Sequence, residues 1–83
     1  MDIIIKMTDG RHVAEVYRQN HCRRRGKSAC GFRVFNENVG LYYTACETQL
    51  PEADVEGLEF EFHRVVDKAQ RAGYRILEEP GAE

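Results

Sequence analysis

The feature that most constrains the fold is a change in the spacing of apolar residues near residue 51. Before this point, apolar and polar residues alternate in short segments separated by glycine-containing turns, which is the spacing of β-strands. After it, apolar residues recur every three or four positions, which is one stripe of an amphipathic helix. The stripe consists of Val55, Leu58, Phe62, Val65, Ala69 and Ala72. We therefore expect a sheet with one helix packed on one face.

The strand-like segments place five β-strands around this helix. We expect strands at residues 2–7, 11–18, 29–36, 41–47 and 74–78. Asp9-Gly10 predicts a tight hairpin turn after the first strand, because this pair supplies the positive φ angles of a primed turn. Pro51 suits the first turn of the helix, and Gly73 is the expected glycine at its end. The order β-β-β-β-α-β is an α+β fold, in which four strands form an antiparallel meander and a fifth strand follows the helix.

The length of 83 residues is that of one domain, and a hydrophobic fraction of 42% is enough for one core. We expect residues 1–79 to form this domain and residues 80–83 to form a flexible tail. No apolar run approaches the roughly 18 residues of a membrane helix. Met1 is followed directly by Asp2 and aliphatic residues, without the regions of a secretory signal. We therefore expect a cytoplasmic protein that makes no contact with a membrane.

Alternation along the strands assigns their side chains to two faces of the sheet. The face covered by the helix is expected to carry Ile3, Ile5, Ala14, Val16, Cys30, Phe32 and Val34. The opposite face is expected to carry Val13, Glu15, Tyr17, Arg33 and Phe35, with Tyr42 or Tyr43. An open face that mixes aromatic rings with arginine is unusual in a monomer. It fits a partner surface, a homodimer interface or single exposed residues, so both monomer and homodimer stay open.

Charged residues are sorted into two consecutive blocks of opposite sign. The first block, residues 16–36, has no acid and contains Arg18, Arg23, Arg24, Arg25, Lys27 and Arg33. The second block, residues 37–62, has no base and contains Glu37, Glu47, Glu52, Asp54, Glu56, Glu59 and Glu61. Segregated charge of this kind acts on partners and association rates rather than on the fold. It indicates a charged macromolecular partner.

The predicted loop at residues 19–28 contains Arg23, Arg24, Arg25 and Lys27 around Gly26. Guanidinium groups bind phosphate through two parallel hydrogen bonds and stack on bases, so the loop suits a nucleic-acid backbone or an acidic partner. The alternative is a solvated hairpin tip whose charges keep strand edges apart.

A second charged surface is predicted on the helix. Glu52, Glu56, Glu59 and His63 follow one another at helical spacing, which gives one solvent-facing strip of carboxylates. Carboxylates one helical turn apart are about 5–6 Å from each other, roughly comparable with the phosphate spacing of a DNA strand. Such a strip can present a DNA-like surface to the basic groove of a partner. The alternative is that it is the ordinary charged outer face of an amphipathic helix.

The three cysteines, Cys22, Cys30 and Cys46, are an odd number, which argues against a closed intramolecular disulfide framework. Cys22 lies among arginines in the predicted loop, where it is a candidate for a disulfide between two chains. The cysteines and histidines lack the spacing of a zinc site, and no set of catalytic residues is identifiable. We therefore expect no metal, no cofactor and no enzymatic activity.

With this size, this architecture, these charge blocks and no catalytic set, the chain resembles the small phage and mobile-element inhibitors called anti-CRISPR proteins. The resemblance rests on size, charge pattern and architecture, and it carries over no functional residue. It implies a non-enzymatic, stoichiometric inhibitor in the cytoplasm of a bacterial host, which binds a nucleic-acid-handling protein complex, such as a CRISPR effector, and blocks DNA binding.

Two hypotheses follow. In the first, the protein is such an inhibitor and binds its partner through Glu52, Glu56 and Glu59, aided by the arginine loop. In the second, it is a small nucleic-acid-binding protein that uses Arg23, Arg24, Arg25, Lys27 and Arg33 with Tyr17, Phe35 and Tyr42. The isoelectric point of about 5.9 favours the first hypothesis, because nucleic-acid-binding domains usually have values above about 9. We therefore expect direct binding to nucleic acid to be weak or absent.

Overall fold

A computed structural model describes residues 2–21 and 25–78 of the chain. Its elements, in chain order, are β1 (Ile3–Thr8), β2 (Val13–Gln19), β3 (Lys27–Asn36), β4 (Leu41–Pro51), α1 (Val55–Arg71) and β5 (Arg75–Glu78). The strands form one antiparallel sheet in the order β4-β3-β2-β1-β5. The predicted α+β fold and its β-β-β-β-α-β order are therefore confirmed. β4 is longer than predicted and ends at Pro51 instead of residue 47.

The connection between β1 and β2 is a hairpin, but it is wider than the tight primed turn predicted. Strand pairing ends at Thr8 and Val13, so residues 9–12 form the loop. The Asp9 carboxylate accepts hydrogen bonds from the backbone N–H groups of Arg11 and His12, at 2.8 and 2.7 Å. These two donors hold the pKa of Asp9 at about 2, below its ordinary 3.8. In this loop only Gly10 has a positive φ angle, whereas a type I′ turn requires two. The loop is closed instead by the hydrogen bonds to the Asp9 side chain.

Helix α1 begins and ends at recognisable caps. Its N-cap is Asp54, whose carboxylate accepts from the N–H of Gly57 at 3.0 Å. Pro51 ends β4, so its predicted place in the first turn of the helix is wrong. The predicted role of Gly73 is confirmed, because it has a φ of 99° and follows the last turn. The N–H of Tyr74 then reaches back to the carbonyl of Ala69 at 3.1 Å, which closes a Schellman motif.

The core lies between α1 and one face of the sheet. Its buried residues are Ile5, Met7, Val16, Cys30, Leu58, Phe62 and Ala69. The predicted covered face is confirmed, with Ile3 and Phe32 half-buried at its margin. The two ends of the predicted helix stripe do not reach the core, because Val55 is 57% exposed and Ala72 is also exposed. No helix among residues 2–21 and 25–78 is long and apolar enough to span a membrane.

The sheet has two unlike edges and one irregularity. β5 forms one edge and pairs only with β1 in the sheet order. β4 forms the other edge, and its pairing with β3 shifts register between Phe32 and Arg33. Cys46 lies opposite Phe32 and Thr44 lies opposite Arg33, so Ala45 is an additional residue that forms a β-bulge in β4.

Candidate partner-binding surfaces

The first half of α1 has an outer face with two exposed carboxylates and one exposed aromatic ring. We call the exposed residues Glu56, Glu59, Phe60 and His63 the acidic helix face, in which Phe60 lies opposite to the buried Phe62 and Glu59 lies beside it, one turn earlier. Phe60 is 68% exposed, and no other large hydrophobic residue among residues 2–21 and 25–78 is more exposed. The carboxylate of Glu59 lies 3.8 Å from Nε2 of His63 and is also largely exposed. This face therefore combines negative charge with an apolar ring in solvent.

Glu52 does not belong to the helix, so this part of the predicted carboxylate strip is wrong. The residue lies in the turn before Asp54, because β4 continues to Pro51. Its N–H donates to the carbonyl of Gly26 at 3.0 Å, and Oε1 lies 2.7 Å from Nδ1 of His21. Glu52 is therefore engaged at the base of the predicted arginine loop. Of the predicted strip, the carboxylates of Glu56 and Glu59 lie on the helix.

Part of the arginine loop lies outside the described residues, namely Cys22, Arg23 and Arg24. Of the other members of the predicted basic site, Arg25 is exposed and Lys27 is half-buried at the start of β3. Glu52, in the turn that leads into α1, contacts His21 on one side of this loop and Gly26 on the other. Both ends of the loop therefore lie beside that turn. The basic and acidic blocks of the sequence therefore meet at this turn.

The sheet face opposite α1 holds a network of polar and aromatic side chains. Arg33 Nε donates to the Glu15 carboxylate at 2.8 Å, and its guanidinium lies 4.7 Å from the centroid of the Tyr17 ring. The Tyr42 ring centroid is 5.9 Å from the same guanidinium. Tyr17 donates its hydroxyl hydrogen to the Glu47 carboxylate at 2.6 Å. The sequence prediction that Glu15, Tyr17 and Arg33 share one face is confirmed by this register, which also places Tyr42, and not Tyr43, on that face.

Tyr17 is buried although no helix covers its side of the sheet, and only 2% of it is exposed. Its ring lies against Gly31, where a side chain would meet the Tyr17 hydroxyl oxygen at 2.7 Å and the Cys46 carbonyl oxygen. Burial and the adjacent Glu47 carboxylate raise the pKa of Tyr17 above its ordinary 10.0. Arg33 lies over the ring as well, so the ring does not present a free surface for a stacked base.

The other two aromatic residues of this face are more open. Phe35 and Tyr42 pack edge to face with ring centroids 5.1 Å apart. Tyr42 is 36% exposed, whereas Phe35 is half-buried. Of the three rings that the sequence predicted as a stacking surface, one is therefore exposed, one is half-buried and one is buried.

Sequence reasoning missed Phe60 as a member of the helix surface. The signal was present, because Phe60 does not fit the apolar stripe and therefore lies on the polar side of the helix. Sequence reasoning also missed the hydrogen bond from Tyr17 to Glu47. Its two residues are in strands that are not neighbours in the sheet order, so no local pattern connects them.

Comparisons with family models, curated proteins and solved structures gave no match to this chain. Among residues 2–21 and 25–78, no group of three histidine, cysteine, aspartate or glutamate side chains is arranged to hold a metal ion.

Proposed function

We propose that this protein is a non-enzymatic inhibitor that binds a nucleic-acid-handling protein complex through the acidic helix face and blocks DNA binding. The observation that carries the proposal is the position of Phe60, 68% exposed on the same face as Glu56 and Glu59. Exposed carboxylates are attracted to the basic groove in which such a complex binds DNA. An aromatic ring among them supplies apolar area, which is typical of the energetic centre of a protein interface.

The charge of this face is available to a partner. Within the described residues, the ion pair of Glu59 is with His63, which contributes charge only when it is protonated. By contrast, Glu52 is engaged with His21, and Glu47 accepts from Tyr17. Glu56 and Glu59 are therefore the carboxylates that substitute for phosphates, and Glu52 has a supporting role at the rim. Arg25 and Lys27 lie near that rim and suit an acidic patch on the same partner.

The alternative of direct nucleic-acid binding has less support in the geometry. Arg33 is paired with Glu15, and the Tyr17 ring is buried beneath it, so neither is free for a phosphate or a base. Among the residues predicted to bind nucleic acid, Tyr42 and Arg25 are exposed. Arg23 and Arg24 lie outside the described ranges. A phosphate-binding strip and a stacking platform normally act together in such proteins.

The experiment is capture followed by a functional assay. Tagged protein is used to capture complexes from a nuclease-treated bacterial lysate, in parallel with a Phe60→Ala variant. Proteins that bind the parent and not the variant are identified by mass spectrometry and purified. Their binding to a fluorescent DNA duplex, or to a guide-matched duplex for a CRISPR effector, is then measured with and without the protein. We expect the parent to reduce DNA binding and Phe60→Ala to reduce it much less. Equal capture by both proteins, or capture of proteins that bind no nucleic acid, would contradict the proposal.

A further inference from the structure

Arg18 is a charged residue on the face of the sheet that α1 covers. It lies opposite Ile3 of β1 and Cys30 of β3, and Cys30 belongs to the buried core of that face. Arg18 itself is half-buried. Within residues 2–21 and 25–78, its Nε is the one buried side-chain nitrogen or oxygen that has no hydrogen-bond partner. A buried donor of this kind is destabilising, so its acceptor has to come from solvent or from a bound ligand.

The charge of Arg18 is not neutralised by the carboxylates around it. The ion pairs found within residues 2–21 and 25–78 do not include Arg18. Asp2 accepts instead from the backbone N–H of Asn20 at 3.0 Å, and Glu52 lies 2.7 Å from Nδ1 of His21. A charge that is partly removed from water is stabilised by a partner of opposite sign. The surroundings of Arg18 therefore favour an anion.

A cavity of about 270 Å³ lies beside Arg18, beneath the first turn of α1. Its polar lining includes His21 and Ser28, and its apolar wall is formed by Val55 and Leu58. Val55 belongs to the apolar stripe of the helix and is nevertheless 57% exposed, so an apolar group in the cavity would cover it. The volume is at the lower end of that of ligand pockets, which limits the occupant to a small molecule.

We infer that this cavity binds a small monocarboxylate with a short aliphatic chain. The Nε–H and one Nη–H of a guanidinium are parallel, so Arg18 can donate to both oxygens of a carboxylate and satisfy its buried Nε. The aliphatic chain then lies against Val55 and Leu58. Glu52 also lines the cavity, and its negative charge disfavours a doubly charged phosphate.

This site goes beyond the proposed function. Of the described residues that line the cavity, none belongs to the acidic helix face. Ligand binding can therefore be measured on the purified protein without a partner, and its failure is distinguishable from failure of the proposed function.

The test is a titration with isovalerate, which combines one carboxylate with a short branched chain. Isotope-labelled protein is titrated at constant ionic strength, and the Nε–H signal of Arg18 is followed by nuclear magnetic resonance. We expect a saturable change of chemical shift with a dissociation constant of about 1 mM, since the ligand has few atoms.

Three compounds serve as controls in the same titration. Isovaleramide has the same shape without the charge, acetate has the charge without the chain, and inorganic phosphate has a higher charge. Each should bind at least about 10-fold more weakly than isovalerate. Equal binding of any of the three, or no saturable change with isovalerate, would overturn the inference.

Two variants assign the binding to this cavity, with the backbone N–H signal of Asn20 as the common readout. Arg18→Lys keeps the charge but removes the paired N–H groups, so it should weaken isovalerate binding at least about 10-fold. Arg71→Lys is the matched control, because Arg71 is in the last turn of α1 and pairs with Asp67, and it should bind like the parent. A folded Arg18→Lys variant that binds isovalerate as tightly as the parent would overturn the inference.

Val55→Asp keeps the test decisive if Arg18→Lys does not fold. Val55 is exposed, and an acid in the first turn of a helix is favourable, so this variant should fold like the parent. It should lose isovalerate binding, because a carboxylate replaces the apolar wall and repels the ligand. Binding of isovalerate to Val55→Asp with the affinity of the parent would show that the ligand lies elsewhere.

Discussion

The guanidinium of Arg33 lies 4.7 Å from the centroid of the Tyr17 ring, on the sheet face that α1 does not cover. Arg33 belongs to the basic block of the sequence, yet its charge is used within the fold, where it pairs with Glu15. Arg33, which the sequence analysis predicted to contact phosphate, therefore stabilises the fold through these contacts. The carboxylates of Glu56 and Glu59, by contrast, are exposed on α1.

Arg33→Ala should lower the free energy of unfolding by about 3 kcal/mol, because it leaves the Glu15 carboxylate with little solvent and no cation. Adding Glu15→Gln should restore much of the loss, since the amide removes the unpaired charge. Chemical denaturation of the two variants and the parent measures both effects. A loss of less than about 0.5 kcal/mol for Arg33→Ala would show that the network contributes little.

Phe62→Ala should cost about 3–5 kcal/mol, because Phe62 is 6% exposed and lies in the core beneath α1. Glu59→Ala, at an exposed position one turn before Phe62, should change the free energy of unfolding by less than about 0.5 kcal/mol. Thermal unfolding followed by circular dichroism compares the two variants. Similar melting of both would mean that the helix is rotated about its axis relative to this account.

Stability should fall at alkaline pH, in a way that depends on Cys30. Burial raises the pKa of the Cys30 thiol from 9.0 to about 11. As pH rises, the unfolded chain therefore loses this proton before the folded protein does, so the free energy of unfolding decreases between about pH 9 and pH 11. The expected contribution is on the order of 1–2 kcal/mol. Tyr17, whose pKa is also raised, adds a further decrease above its ordinary value of 10.0.

Denaturant titrations at a series of pH values measure this decrease. Cys30→Ala should be less stable at neutral pH and should show a shallower slope between about pH 9 and 11, because the shifted group is gone. Cys46→Ala is the matched control, since that thiol is exposed, and it should keep the slope of the parent. Parallel slopes for all three proteins would show that Cys30 ionises alike in the folded and unfolded chains.

The sequence was sufficient for the fold because each element depends on a local spacing of apolar residues. Alternation located the covered face, including Val16 and Cys30, and the helical stripe located Leu58 and Phe62. The start of α1 was misplaced because Pro51 and Asp54 are both favourable near a helix N-terminus. In the structure β4 pairs with β3 as far as Pro51, so the helix begins only after Asp54.

The candidate site was less predictable than the fold, because it depends on which charges find partners in three dimensions. Glu47, Glu52 and Glu59 are equivalent in the sequence, as members of one acidic block. In the structure, Tyr17 engages the first and His21 engages the second, while the third lies on the open side of α1. Contacts of this kind join residues about thirty positions apart, where no local pattern extends.

Free nucleic acid should bind weakly, with a dissociation constant of about 10⁻⁴ M or higher at physiological salt, as for non-specific contacts. The reason is that Arg33 is paired internally and the net charge is −2. Fluorescence anisotropy with random DNA and RNA oligonucleotides measures this. Sub-micromolar, salt-sensitive binding that is lost in an Arg23→Ala/Arg24→Ala/Arg25→Ala variant would favour the nucleic-acid-binding hypothesis instead.

The measurement that tests the central claim most directly is the inhibition of partner DNA binding by a charge-reversed acidic helix face. Glu56→Lys/Glu59→Lys replaces attraction by repulsion, so inhibition should weaken by at least about 100-fold. Glu52 is left unchanged because it supports the loop. Glu37→Lys/Glu83→Lys changes the net charge equally without altering α1, and it should inhibit like the parent. Inhibition by the parent should also decrease as salt rises. If the charge-reversed protein folds normally by circular dichroism and still inhibits as strongly as the parent, the acidic helix face is not the binding surface.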